Sequence, residues 1–155
     1  MKVLVDSNVI LELILQREQV ELANKSLSLL SQEKHEVYLT VGGFYGMLYT
    51  IDNYLRKVME LKKPYRAHAL RSIMIQVLNK YQVVEHDKES LIRSMEDEAF
   101  SDLEDSCQFQ AACKEGCTLL VTFNISDYKV NNDAPVKVVT PQELLDLCMK
   151  KKERS

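Results

Sequence analysis

The sequence predicts a three-layer α/β/α sandwich around a central parallel sheet. Two observations carry this. Short runs rich in β-branched and other apolar residues recur along the whole chain, and most are followed by a longer stretch with helical apolar spacing. Several of those runs, above all LLV near the C-terminal third, are apolar on consecutive positions, as strands covered on both faces must be. Strand–helix alternation with crossovers of this length builds a parallel sheet with helices on both sides. Strand order does not follow from these signals.

Residues 2–6 form the first strand and end on an acid, Asp6. The next segment places Val9, Ile10, Leu13 and Ile14 at helical spacing, and Leu22, Ser26, Leu27 and Leu30 continue a second helix. Residues 37–41 read as the second strand. A long helix is expected over residues 44–62. Pro64 suits the opening of another helix, because its missing N–H is not needed there. That helix carries Leu70, Ile73, Val77 and Leu78 on one stripe. The third strand covers residues 82–85, and a short helix residues 88–98. Ser101 and Glu104 have capping-box spacing. The helix they open stops at Gly116. Residues 118–122 and 137–140 are the fourth and fifth strands, and Pro141 opens a terminal helix. Residues 1–148 are expected to form one domain. The charged residues 149–155 are expected to be a disordered tail.

The 155 residues suffice for one domain with its own core. The formal net charge is −3, so any contact with nucleic acid must come from a local patch. No signal peptide or membrane-spanning run is evident, and the expected location is the cytoplasm. Cys107, Cys113, Cys117 and Cys148 lack zinc-finger spacing and read as small hydrophobes.

Ligands of open α/β sheets bind outside the carboxyl ends of the strands. Asp6, Ser7 and Asn8 follow the first strand, Thr40 the second, and Thr122, Asn124 and Asp127 the fourth. The helix opening near Ser101 adds Asp102, Glu104 and Asp105. Taken singly, Asp6 reads equally well as a helix cap, Asp102, Glu104 and Asp105 as first-turn acids favoured by the helix dipole, and Asp127 as a turn residue. Their coincidence at one sheet edge is what those readings leave unexplained. Carboxylates held together repel unless a cation sits between them. An oxygen-only ligand set suits Mg²⁺ or Mn²⁺, which activate water and stabilise charge on a phosphodiester.

At these residues the sequence resembles the PIN-domain family, in particular the VapC-like toxin ribonucleases of type II toxin–antitoxin pairs. The opening VLVDSNVILELILQRE resembles the family's first-strand motif. FSDLEDSCQFQAACKEGCTLLVTFNISDY resembles the second half of its site, and VKVVTPQELL the closing strand and helix. The resemblance implies that Asp6, Asp105 and Asp127 are metal-binding acids and Asp102 an additional one. It implies that Ser7, Asn8, Glu104, Thr122 and Asn124 are supporting polar residues. It also implies an RNA substrate, Mg²⁺ or Mn²⁺ as cofactor, and an antitoxin or a second copy of the chain as protein partner. Two positions depart from the pattern: Gly46 falls where many members carry a glutamate, and Phe123 where a basic residue is common.

Arg56, Lys57, Lys62, Lys63, Arg66 and Arg71, with Tyr54 and Tyr65 between them, form a candidate nucleic-acid patch, or else the solvated face of two helices. Three functions compete: a metal-dependent PIN-type ribonuclease, a PIN-like module that binds RNA or protein without cleaving, and an aspartyl-phosphate phosphotransfer domain. Against the last, no second acid stands two residues after Asp6, and no glycine-rich phosphate cradle exists.

Overall fold

In the computed structural model, residues 1–128 and 133–153 are described. Five strands, β1 (Lys2–Val5), β2 (Glu36–Thr40), β3 (Gln82–Val84), β4 (Leu119–Val121) and β5 (Lys137–Val139), form one all-parallel sheet in the order β3-β2-β1-β4-β5. Alternate residues of β1 point to opposite faces, as the two-residue strand period requires. Val3 and Val5 enter one apolar cluster and Leu4 the other.

The first face is covered by α1 (Ser7–Ile14), α2 (Val20–Gln32), α3 (Val41–Lys57), α4 (Tyr65–Lys80) and α7 (Pro141–Glu153), through side chains such as Ile10, Leu30, Met47, Ile51, Met74 and Leu144. The second is covered by α6 (Leu103–Glu115), through Phe109, Ala111 and Ala112. Outside it, α5 (Lys88–Glu96) is pinned where the Ser106 hydroxyl donates to Ser94 O at 2.8 Å. The three-layer expectation holds.

Several boundaries differ from the sequence reading. The helix expected over 44–62 begins earlier and ends earlier, at Val41 and Lys57. Thr40 caps it, its hydroxyl accepting from Gly43 N at 2.9 Å, and this draws the two glycines into the first turn. Gly43 is needed for close approach: a Cβ there would stand 3.1 Å from Thr40 Oγ1 and 3.4 Å from Ser7 Cβ. Leu78, expected on the buried stripe of α4, is 46% exposed, and Met74 is buried instead beside Val77. The cap of α6 is Asp102 rather than Ser101: its carboxylate accepts from Glu104 N at 2.9 Å and Asp105 N at 3.2 Å. An ionised acceptor at the positive end of a helix outcompetes a hydroxyl one residue earlier. The tail boundary expected at 149 falls inside α7, which continues through Glu153, and residues 154–155 lie outside the described residues. Among the described residues no helix is long and apolar enough to cross a membrane.

Candidate metal centre

The carboxyl edge of the two central strands sets the site. Asp6 leaves β1 directly and is 2% exposed. Its Oδ1 accepts from Asn8 N at 3.1 Å, capping α1. Its Oδ2 accepts from the Thr122 hydroxyl at 2.9 Å, across from the end of β4. The Thr122 oxygen in turn accepts from Asn124 N at 3.1 Å. Asp6 is therefore a helix cap, as one sequence reading held, and also a link between the ends of β1 and β4. Ser7 is buried against Gly43, whereas Asn8 is exposed and lends only its N–H to Asp6.

Asp105 lies one turn into α6 and is 7% exposed. Its Oδ1 accepts from the Tyr128 hydroxyl at 3.0 Å. Its Oδ2 is buried with no hydrogen-bond partner. Burial, the largest effect, pushes its carboxyl from the ordinary 3.8 up to about 6. The Tyr128 hydrogen bond opposes the shift, and the negative charges of Asp102, Asp6 and Asp127 add to it. Crowding thus raises the pKa as expected, but less than desolvation does. The same influences identify the neighbours: Asp102, Asp6 and Asp127 each lie within electrostatic range of Asp105.

Asp127 is half-buried in a single 3-10 turn, Ile125–Asp127, and its Oδ2 accepts from the Asn124 side-chain amide. Asp102 is exposed, and Glu104, also exposed, gives its N–H to the cap. Among the described residues, no three Asp, Glu, His or Cys side chains stand close enough to hold a metal ion as they are placed. Asp6, Asp105 and Asp127 each accept a hydrogen bond from a neighbouring donor. The fit to a hard cation rests on a different ground: the buried Asp105 Oδ2 lacks any partner, an atom costly to leave so, and the three acids whose charges reach it, Asp102, Asp6 and Asp127, offer oxygen donors only.

Tyr128 was not singled out from sequence, although it directly follows Asp127. Its ring packs edge-on against Phe100 at 5.5 Å, and its backbone bridges to Phe100, so one residue ties the Asp127 turn to the start of α6. At position 46 a side chain would meet nothing within 4 Å, and Phe123 packs against the first-face core. The four cysteines form no disulfide; Cys117 and Cys148 are buried, and burial holds the Cys117 thiol up at about 11.

The six candidate cations separate into three environments. Arg56, Lys62, Lys63 and Arg66 line a cleft of about 670 Å³ with Glu60 and Leu61. Arg71 lines a different, apolar groove beside Leu48, Leu70 and Met74. Lys57 is exposed at the end of α3. Tyr65 is 73% exposed, whereas Tyr54 packs against the core.

Among curated proteins none matches this chain. Among solved structures, the fold is similar to the crystal structure of VapBC2 from Rickettsia felis bound to a DNA fragment from their promoter. The TM-score is 0.63 and the identity 14%, over 90% of this chain and 98% of that one. The family model described as PIN domain matches residues 2–126, and over that span it takes in Asp6, Asp102 and Asp105. The chain belongs to the PIN-domain family.

Proposed function

We propose that this chain is a divalent-metal-dependent endoribonuclease, the toxin of a toxin–antitoxin pair acting in the cytoplasm. The observation that carries the reading is the buried, unpartnered Oδ2 of Asp105 among Asp6, Asp102 and Asp127. A carboxylate so placed is stabilised when a cation completes its coordination. Asp6, Asp105 and Asp127 would hold Mg²⁺ or Mn²⁺, with Asp102 at the exposed rim. When bound, such an ion supplies positive charge that makes a water more acidic and neutralises a phosphodiester oxygen.

The chain's own groups do the rest. Thr122 and Asn8 N hold Asp6 in one orientation. Tyr128 fixes Asp105 by Oδ1, leaving Oδ2 as its ligating atom. Asn124 holds Asp127 beside the edge and must release it, at least in part, for the set to close. The likeness to a VapBC2 complex supports an antitoxin as protein partner, and a second copy of the chain is the other partner proposed.

A second reading, a PIN module that binds RNA or protein without cleaving, is favoured by Gly46, which leaves α3 without an acid on that turn. The test is cleavage of a generic single-stranded RNA across a Mn²⁺ titration for wild type, Asp105→Asn and Asp6→Asn. Metal-dependent cleavage falling at least about 100-fold in both variants is expected. Absence of cleavage by wild type at every metal concentration selects the binding module. Undiminished cleavage by Asp6→Asn overturns the site.

A further inference from the structure

The turn between α3 and α4 concentrates positive charge on an acidic chain. From Asp52 to Arg71 there are six Lys and Arg residues against two acids, an excess of four, while the whole chain carries −3. The fold gathers four of these cations around one cleft. Two are fixed in place: Arg66 Nε pairs with Asp52 Oδ1 at 3.1 Å, and Arg56 Nη2 donates to Asn53 Oδ1 at 2.8 Å. Lys57, Lys62 and Lys63 are exposed and have no ion pair among the described residues. Nothing at the start of α4 offsets this charge, since Pro64 provides no side-chain cap and the first turn has no acid. Tyr65, adjacent to Arg66, presents an exposed ring.

Anchored arginines, free lysines and an exposed aromatic are the elements by which proteins grip a single-stranded phosphate backbone without reading its sequence. The cleft is also remote from the acids. By strand register Thr40 stands level with Asp6, and the seventeen residues of α3 put its far end about 25 Å from Thr40.

We infer that the cleft at the α3–α4 turn is a docking surface for the sugar-phosphate backbone of single-stranded RNA, holding the strand about 25 Å from the acidic edge. The inference rests on the ribonuclease reading for its choice of RNA. It supplies what the acidic edge lacks, because clustered carboxylates repel phosphates until a cation is bound.

The test measures binding of a labelled single-stranded RNA of about 12 nucleotides to the full chain in EDTA, by anisotropy across a KCl series. Wild type should bind with a log–log salt slope of about −2, the value for three phosphate contacts on a single strand. Lys62→Glu/Lys63→Glu should lower affinity at least about tenfold and flatten the slope by about 1.4. Both positions are exposed, and unchanged circular dichroism and Mn²⁺ affinity would confirm an intact fold and acidic edge. Lys25→Glu on α2 should leave binding as in wild type. Equal binding by the double variant, or an equal loss in Lys25→Glu, overturns the inference. Metal-dependent cleavage by wild type together with unaltered RNA binding by the double variant would defeat this inference alone. Binding through the cleft without cleavage under any condition would defeat only the ribonuclease reading.

Discussion

Replacing Asp105 with asparagine separates the cost of the acidic edge from its use. In the metal-free protein its carboxyl titrates near 6 rather than 3.8, so the folded state binds the proton more tightly than the unfolded chain. For a raised acid the sign is adverse: stability falls as pH climbs from about 4 to about 6 and stays lower above. The gap corresponds to about 3 kcal/mol at neutral pH. At 7% exposure little of that is lost to solvent screening. Asparagine removes the charge and keeps an oxygen for the Tyr128 hydroxyl. Its amide nitrogen, placed where Oδ2 lies unpartnered, costs about 1–2 kcal/mol as a buried unmet donor. Asp105→Asn should therefore stabilise the protein in EDTA at pH 7.5 by about 1–2 kcal/mol, or roughly 5 °C in Tm for a chain of this size. At pH 4 the advantage should vanish or reverse, because the folded wild-type carboxyl is then protonated and the unfolded one is already partly so, which leaves only a small part of the penalty. Urea denaturation of both proteins at the two pH values measures the difference free of other titrating groups. A variant less stable than wild type at pH 7.5, or an advantage independent of pH, would refute the desolvation argument.

Asp102→Ala should cost about 1 kcal/mol through loss of two hydrogen bonds at the start of α6, whereas Asp102→Asn should cost little, since asparagine also caps; thermal melts of the pair check this. Either change removes a negative neighbour of Asp105 and should move the acidic inflection of the stability curve to lower pH. Gly46→Glu should fold without strain, because nothing stands within 4 Å of a Cβ there, and should gain about 0.5 kcal/mol from helix propensity. It should also tighten Mn²⁺ binding by calorimetry; an unchanged affinity would mean that this helical position serves the fold alone.

The layers were legible because apolar runs and helical spacing are local. Asp6 and Thr122 directly follow the ends of β1 and β4, and Asn124 and Asp127 lie in the next few residues, so their place at that edge was also readable from sequence. What local pattern cannot encode is the competition between neighbouring groups. Ser101 and Asp102 are both competent caps, and only the built backbone gives the position to Asp102. The early start of α3 depends on Thr40 reaching Gly43 and on the gap Gly43 leaves for Ser7. Leu78 fits a helical stripe as well as Met74 does, yet the angle at which α4 lies decides which is covered. The setting of Asp105 depends on Tyr128, 23 residues away, whose hydroxyl donates to Oδ1 while Oδ2 is left without a partner. The strand order required pairings between β1 and β4 across more than a hundred residues.

That order has a consequence for how the acidic edge opens. Asp6 extends from β1, the middle strand, bonded on one side to β2 and on the other to β4. Asp127 rides on one 3-10 turn, held by Tyr128 N to Ile125 O, the Asn124–Thr122 bond and the bridge to Phe100. One jaw is thus part of the most protected strand of the protein, and the other is secured by a few bonds at its rim. Local opening should release the Asp127 jaw long before β1 exchanges its amides, so hydrogen exchange should be fast at residues 125–128 and slow at Asp6.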